Sequence, residues 1–277
     1  MDLERINRFV SDVEKSIKSP AHAVKGEEYL TGVDLGTSYI VIVVLDSKRN
    51  PVACDMEYAE VVKDGLVVDF TGASNIVRRL KRNIEERTGI ELTKAAIAVP
   101  PGTGKRDADA HRYVVEGAGL NVTAILDEPT AANSVLNITD GVVVDIGGGT
   151  TGLSIFENGR PVYTADEPTG GVHLSLVIAG QYRISFDEAE KLKKTKERQK
   201  EIFNVVRPVI QKMASIIRKH IKSFKVDTVY LVGGTCCLEG FENVIEKETG
   251  IKTVKPSNPL LITPIGIALN CSDKEGD

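Results

Sequence analysis

Two short segments, one in each half of the chain, place an aspartate at the end of an apolar run and glycine directly after it. They are Val33-Asp34-Leu35-Gly36-Thr37-Ser38 and Val144-Asp145-Ile146-Gly147-Gly148-Gly149-Thr150-Thr151. Each is followed by a second β-rich run, which predicts a similar strand–turn–strand hairpin in both halves. Glycine lets a backbone approach a phosphate closely enough for its amides to bind it. Two such turns facing each other, each with a carboxylate, would hold a triphosphate and its divalent metal from both sides.

The composition is compatible with two lobes that each have a core. The chain has 277 residues, of which 42% are hydrophobic and 27% charged, as is usual for globular proteins. The net charge of −4 gives no positive field to attract nucleic acid. The N-terminus lacks the apolar core of a signal peptide, and no stretch approaches the roughly 20 apolar residues that span a bilayer. We therefore expect a cytoplasmic protein with no nucleic-acid partner and no membrane insertion.

The cysteines and the basic residues have simple interpretations. Cys54, Cys236, Cys237 and Cys271 show no CxxC spacing, so we expect free core thiols in a reducing compartment. Lysine and arginine cluster in residues 191–200, but acidic residues flank them and no aromatic residues are interleaved. This pattern predicts a solvated helix face.

In the first half, the apolar spacing predicts a leading helix and then alternating strands and helices. The leading helix is predicted over residues 2–18, followed by a linker. Strands are predicted at 30–34, 39–46, 51–61, 66–70, 95–99 and 122–126. Helices are predicted from a cap at Thr71 to residue 87, and at 106–116 and 129–136. Strands separated by helices indicate parallel pairing in an α/β layer.

The second half repeats this order. Strands are predicted at 141–146, 151–156, 160–165, 228–232 and 252–254, with Asn158-Gly159 as a hairpin signal. Helices are predicted at 172–179, 185–191, 197–222 and 238–248, and from Pro264 onward. The third of these helices is expected to be interrupted near Pro208. The repeated order predicts a weak internal duplication.

Five ordered motifs resemble those of the actin/Hsp70/sugar-kinase ATPase superfamily. The two glycine turns resemble its phosphate motifs, and Leu231-Val232-Gly233-Gly234-Thr235 resembles its adenosine motif. Asp127-Glu128-Pro129-Thr130-Ala131-Ala132 and Thr263-Pro264-Ile265-Gly266-Ile267-Ala268 resemble its two connecting helices. The resemblance implies a two-lobed α/β actin-like ATPase fold, made of duplicated ribonuclease H-like domains with a nucleotide cleft between the lobes. The implied parts are an N-terminal helix and linker (1–28), a first lobe (29–140), a second lobe (141–262), and a connecting helix returning to the first lobe with a tail (263–277).

Over its whole length the chain resembles the EutJ family, small Hsp70/actin-like proteins of ethanolamine utilisation operons. Residues 64–70 and 99–102 also resemble the bacterial actin homologues MreB and FtsA. There is no large insertion between Phe70 and Val99. The extra subdomain of Hsp70 and its catalytic lysine therefore have no counterpart in this chain. The resemblance implies a protein client, either ethanolamine ammonia-lyase or shell proteins of a bacterial microcompartment, with which the protein would associate in the cytoplasm.

The resemblance also implies ATP or ADP and Mg²⁺ as ligands. Asp34 and Asp145 would hold Mg²⁺, mostly through its waters, and Glu128 would orient or activate the attacking water. The residues expected to contact the phosphates and the adenosine are Gly36, Thr37, Ser38, Gly147, Gly148, Gly149, Thr150, Gly170, Gly171, Gly233, Gly234 and Thr235.

Simpler roles and other functions remain open. A strand-ending aspartate is often only a turn former, and Glu128 could serve only to stabilise a helix N-terminus by about 0.3–1 kcal/mol. The sequence favours a slow ATPase acting as a chaperone-like or assembly factor, and the alternative is a non-hydrolysing scaffold or filament protein of the FtsA/MreB kind. A small-molecule kinase would need a substrate base that is not evident in the second lobe. The cysteines do not match the cluster ligands of ATP-driven electron activators.

Overall fold

Two five-stranded sheets form the framework of the computed structural model, which describes residues 2–21, 23–24 and 26–272. The strands of the first half are β1 (Tyr29–Leu35), β2 (Tyr39–Asp46), β3 (Pro51–Tyr58), β4 (Val62–Lys63), β5 (Leu66–Val67), β6 (Lys94–Val99) and β7 (Asn121–Asp127). The first sheet has the order β3-β2-β1-β6-β7, and β4 pairs with β5 in a separate hairpin. β1, β2 and β3 are antiparallel, whereas β1, β6 and β7 are parallel.

The second sheet repeats this plan. Its strands are β8 (Gly141–Ile146), β9 (Thr151–Glu157), β10 (Arg160–Glu167), β11 (Thr228–Val232) and β12 (Lys252–Val254). Their order is β10-β9-β8-β11-β12, with antiparallel pairing on one side of β8 and parallel pairing on the other. The same strand order and sense in both sheets confirm the predicted two-lobed, duplicated α/β architecture.

Nine α-helices flank the sheets in the described residues. In the first half they are α1 (Leu3–Ser16), α2 (Phe70–Thr88), α3 (Lys105–Glu116) and α4 (Glu128–Leu136). In the second half they are α5 (Gly171–Tyr182), α6 (Phe186–Lys194), α7 (Gln199–Ile221), α8 (Phe241–Thr249) and α9 (Ile262–Leu269). Short 3-10 turns lie at Lys196–Arg198, Gly234–Cys237 and Pro259–Leu261. None of the helices in the described part of the chain is long and apolar enough to cross a membrane.

The start of α2 differs from the prediction. Its N-cap is Asp69, whose carboxylate accepts a hydrogen bond from the Gly72 amide at 2.8 Å, and Thr71 lies within the first turn. The cap satisfies an amide that the helix itself leaves without a partner. The strand predicted over residues 66–70 is therefore shortened to the two residues of β5.

The prediction that Pro208 interrupts a helix is wrong, because α7 runs continuously through it. Buried residues recur at helical spacing on both sides of the proline, among them Val206 and Ile210. Pro208 itself is exposed, as is Asn204, so the carbonyl that loses its amide partner lies on the solvent side. Burial of the opposite face offsets the usual cost of about 3 kcal/mol for a proline within a helix.

Two further helix starts were misplaced. α8 begins at Phe241 because Gly240, in the left-handed conformation with φ of 81°, precedes it. α9 begins at Ile262, two residues before the predicted start, so that Pro264 lies in its first turn. A proline is tolerated there because the amide it lacks would have no helical partner.

Four groups of buried side chains hold the elements of the described chain together. One lies within each half, and a third joins the halves through residues such as Val10 of α1, Val43 of β2, Val143 of β8 and Ile265 of α9. A small fourth group lies where α4 and α9 pack on β6. The leading helix packs on β3 and also on the Pro259–Leu261 turn. The predicted lobe boundaries at residues 28, 140 and 262 stay predictions.

Glycines allow α9 to lie between the two halves. A Cβ on Gly32 of β1 would be 2.7 Å from the Pro264 carbonyl oxygen, and a Cβ on Gly266 would overlap the Ala131 carbonyl of α4. Both positions therefore require glycine for close backbone approach. The two segments that resemble connecting helices, α4 and α9, thus cross at Gly266.

Candidate functional site

A cavity of about 290 Å³ lies between the two halves of the described chain. Both glycine turns line it, together with the side chains of Asp34, Glu128 and Asp145. Its lining also includes the predicted positions Gly36, Thr37, Ser38, Gly147, Gly148, Gly149, Thr150, Gly171, Gly233, Gly234 and Thr235. Gly170 lies behind the second turn, where a Cβ would be 2.6 Å from the Gly148 carbonyl oxygen. The structure thus brings together all the predicted site residues except Gly170, which supports the turn from outside.

Matching positions in the two hairpins place the two aspartates at the cavity. Asp34 is the penultimate residue of β1 and pairs with Val41 across the hairpin. Asp145 is the penultimate residue of β8 and pairs with Gly152. Since both turns follow directly, each aspartate lies beside the backbone amides of its own turn.

The two turns contact each other directly. A Cβ on Gly148 would overlap the Ser38 hydroxyl, and one on Gly149 would be 2.9 Å from the Thr37 hydroxyl oxygen. The second turn is fixed from behind by α5, whose Gly171 and Val172 amides donate to the Gly147 and Gly148 carbonyls at 2.9 and 2.8 Å. A side chain at Gly148 or Gly149 would therefore require the Thr37–Ser38 turn to shift.

Glu128 enters the cavity as the first residue of α4. The helix is capped by Asp127, which accepts a hydrogen bond from the Thr130 amide at 3.0 Å. The cap fixes where α4 begins, at the end of the parallel strand β7. Side chains at the carboxyl ends of parallel strands commonly line ligand sites.

The three carboxyl groups make the cavity strongly acidic. Burial, with a contribution from the Asp145 charge, raises the pKa of Asp34 from 3.8 to about 7. Burial raises the pKa of Asp145 to about 6, although a hydrogen bond from Thr263 acts in the opposite direction. Burial and then the charges of Asp145, Asp34 and Asp166 raise the pKa of Glu128 well above its ordinary value. A cation placed among these groups would relieve both the desolvation and the repulsion.

The chemistry of these groups fits Mg²⁺ bound together with a nucleotide. In residues 2–21, 23–24 and 26–272, no group of three or more His, Cys, Asp or Glu side chains has the arrangement of a closed metal site. Mg²⁺ does not need one, because it keeps several waters and commonly uses one or two carboxylates plus substrate phosphates. Asp34 and Asp145 would supply the carboxylates, and the backbone amides of the glycine turns would hold the phosphates that complete the ligand set.

The adenosine-motif turn is tied to the second glycine turn. Gly233 has φ of 89°, and a Cβ there would overlap the Asp145 carboxylate. The Thr235 hydroxyl donates to the Gly147 carbonyl at 2.7 Å. The ammonium group of Lys255 donates to the Cys236 and Leu238 carbonyls, each at 3.1 Å. The turn is therefore held from both sides.

The C-terminal part of α6 forms another part of the wall, and its residues Glu190, Lys193 and Lys194 were not named as site residues from the sequence. Lys193 donates to the Gly171 carbonyl at 3.1 Å, to the Ser175 hydroxyl at 2.7 Å and to the Glu190 carboxylate at 2.6 Å. Burial alone would raise the pKa of Glu190, but the charge and hydrogen bond of Lys193 and a hydrogen bond from Ser175 lower it overall. Lys193 and Oε1 of Glu190 are thus paired and hydrogen-bonded, as buried charges require, whereas Oε2 of Glu190 has no hydrogen-bond partner and lies 3.3 Å from Nζ of Lys194.

Lys194 connects the two halves across the cavity. Its Nζ atom lies 4.8 Å from the ring centroid of Tyr39 and 4.5 Å from that of Tyr58, in β2 and β3. Both distances are within cation–π range. The prediction of a solvated basic face over residues 191–200 is therefore wrong for Lys193, whose side chain is only 16% exposed, whereas Lys194 is exposed as predicted and also contacts the two rings. The predicted helix ended at residue 191, three residues too early, so the shared face of Glu190, Lys193 and Lys194 was not evident.

The cysteines are free thiols. Cys54, Cys236 and Cys271 are buried, as expected of core thiols, whereas Cys237 is exposed at the cavity. Burial raises the pKa of Cys236, and partial desolvation by the cavity wall raises that of Cys237 although the residue is exposed, so neither is an activated thiolate at neutral pH.

Comparisons with known proteins agree with the fold. The family model for type IV pilus assembly protein PilM matches residues 109–263. Ethanolamine utilization protein EutJ of Salmonella typhimurium is 43% identical over 238 residues, which cover 86% of this chain and 84% of that protein.

Solved structures show the same architecture. The crystal structure of EutJ from Carboxydothermus hydrogenoformans has a TM-score of 0.92 at 48% identity, covering 97% of this chain and 99% of that one. MreB 5 of Spiroplasma citri, bound to AMPPNP, has a TM-score of 0.69 at 17% identity, covering 87% and 95%. The latter likeness shows the fold alone. The two-lobed actin-like ATPase fold expected from the sequence is confirmed.

Proposed function

Because the chain belongs to the family of ethanolamine utilization protein EutJ, and through its PilM-type region to the actin-like ATPases, we propose that it is a slow, Mg²⁺-dependent ATPase. It would act as a chaperone-like or assembly factor in ethanolamine utilization. The observation that carries the proposal is the meeting of Asp34, Glu128 and Asp145 with both glycine turns around one cavity. A turn-forming or helix-capping role alone would not require all three carboxyl groups to line the same cavity.

The phosphates and the metal would bind between the turns. Backbone amides of residues 36–38 and 147–150 would bind the β- and γ-phosphates, and Asp34 and Asp145 would hold Mg²⁺ largely through water. Bound Mg²⁺ supplies charge neutralisation to the phosphates. Glu128 would hold the attacking water and accept its proton, for which its carboxyl must be ionised. Its pKa is raised mainly by burial and by its acidic neighbours, so binding of the cation would favour the ionised base.

The nucleoside would lie between α6 and the adenosine-motif turn. A ribose hydroxyl can donate to the Glu190 carboxylate and accept from the Lys193 ammonium group, both of which line the cavity. Gly233, Gly234 and Thr235 would support the base from the other side. Closure of Lys194 over Tyr39 and Tyr58 would retain the bound nucleotide.

The partner would be a protein client. We propose ethanolamine ammonia-lyase or microcompartment shell proteins, because EutJ proteins are named for ethanolamine utilization. The net charge of −4 argues against nucleic acid as a partner. The place of action would be the cytoplasm, at the microcompartment.

Phosphate release from ATP tests the proposal. We expect slow, Mg²⁺-dependent release that increases on addition of purified ethanolamine ammonia-lyase or shell protein. Glu128→Gln, which keeps the shape of the side chain, should lower release by about 100-fold or more and leave ATP binding intact. Binding without release under any condition would refute the ATPase and leave a nucleotide-dependent scaffold or filament protein, which sedimentation with ATP would detect.

A further inference from the structure

The three acidic groups of the cavity lie on three separate elements, and all three elements contact α9. β1, which carries Asp34, contacts α9 at Gly32, and α4, which begins at Glu128, contacts α9 where Ala131 meets Gly266. The third contact is polar and involves Asp145 itself. A helix of eight residues therefore supports the whole acidic cluster.

The polar contact is a buried hydrogen bond. The Thr263 hydroxyl donates to Oδ2 of Asp145, across 118 positions of the sequence. Thr263 is 3% exposed and Asp145 is 6% exposed. A hydrogen bond to an ionised oxygen is stronger than one between neutral groups, and burial shields this one from water.

The other carboxylate oxygen of Asp145 is restrained by close packing against the backbone. Oδ1 lies against Gly233, where any Cβ would overlap it. The carboxylate is thus held by a donor at one oxygen and by close backbone packing at the other. This leaves its plane little freedom to rotate within the cavity wall.

We propose that Thr263 is a positioning residue for the metal: its hydroxyl fixes the Asp145 carboxylate in the orientation that the bound Mg²⁺ and its waters require. The proposal rests on the proposed function, because it concerns the same site. Groups that orient a metal-binding side chain typically change metal affinity by about 10- to 100-fold when removed. Thr263 is placed for such a role, because its hydrogen bond uses one lone pair of Oδ2 of Asp145 and leaves the second lone pair of that oxygen available.

Three variants separate positioning from simple packing. Thr263→Val removes the hydroxyl at nearly constant shape, and Thr263→Ser keeps the hydroxyl and removes a methyl group. Thr253→Val is a matched control, because Thr253 is also buried, at 8% exposure, and its hydroxyl bonds the Ile251 carbonyl at 3.0 Å outside the cavity.

The measurement is binding of a fluorescent ADP analogue as Mg²⁺ is titrated, with a parallel titration in EDTA. For Thr263→Val we expect the half-saturating Mg²⁺ concentration to rise about 10-fold or more, with unchanged binding in EDTA. Thr263→Ser and Thr253→Val should follow the wild type. Should Thr263→Val fail to fold in a thermal melt, Thr263→Ala carries the same expectation.

The outcomes are distinguishable. Equal Mg²⁺ dependence of Thr263→Val and wild type would overturn the role of Thr263 and leave the proposed function in place. Equal shifts in Thr263→Val and Thr263→Ser would assign the effect to packing and also overturn it. Wild-type protein that binds ADP with no Mg²⁺ dependence would overturn the proposed metal site and the Thr263 inference together.

Discussion

Replacing Asp34 by asparagine is expected to stabilise the nucleotide-free, metal-free protein at alkaline pH. Burial and the Asp145 charge raise the pKa of Asp34 from 3.8 to about 7. An acid whose pKa is higher in the folded state costs no stability below its unfolded pKa. The cost grows as the pH rises through 3.8 and is complete above 7. The shift corresponds to a cost of at most about 4 kcal/mol, which asparagine would remove.

Urea unfolding in EDTA measures this effect. At pH 8, Asp34→Asn should have a higher unfolding free energy than the wild type, and the two should converge near pH 4. Asp12→Asn, at an exposed position of α1, controls for the loss of one negative charge. Added Mg²⁺ and ATP should stabilise the wild type and not Asp34→Asn. An Asp34→Asn protein that is no more stable than wild type at pH 8, or whose difference does not change with pH, would refute the reasoning.

Three other perturbations have defined outcomes. Gly266→Ala should lower the unfolding free energy by about 1–3 kcal/mol, because its methyl group overlaps the Ala131 carbonyl; an unchanged urea midpoint would contradict this. Burial lowers the pKa of His111, so stability should fall as the pH drops below about 6.5. Urea unfolding at pH 7.5 and 5.5 should show a smaller decrease in unfolding free energy for His111→Gln than for the wild type. Equal decreases in the two proteins would exclude this role of His111. Lys194→Ala should release ADP roughly 2- to 5-fold faster than the wild type, because its cation–π contacts are lost, whereas Lys194→Arg should not. Equal ADP release rates of Lys194→Ala and wild type in stopped flow would contradict a role of Lys194 in retaining the nucleotide.

Much of the framework was predictable from local sequence signals. The glycine turns, the Asn158-Gly159 hairpin and the alternation of strands with helices each depend on a few neighbouring residues. These signals predicted the hairpins and the parallel pairing of both halves, and the structure supplies the strand order of each sheet. The glycine turns also identified Asp34 and Asp145, whereas Glu128 was identified through the resemblance of residues 127–132 to a connecting helix of the ATPase superfamily.

The remaining parts depend on contacts that no local pattern encodes. The Thr263–Asp145 hydrogen bond joins residues 118 positions apart, and Lys194 contacts rings from two strands of the other half. Pro208 was misjudged for a related reason: its local tendency to break a helix is overridden by burial of the α7 face against the second sheet. Contacts between elements that are distant in the sequence decided each of these cases.

Isothermal titration with ATP, in Mg²⁺ and in EDTA, tests most directly whether the opposed turns form a metal–nucleotide site. Wild-type protein should bind one ATP per chain, at least about 10-fold more weakly without Mg²⁺. Asp145→Ala should bind ATP equally weakly in both buffers. Wild-type binding that is absent, or that is the same in Mg²⁺ and EDTA, would contradict the convergence of both carboxylates on one bound cation.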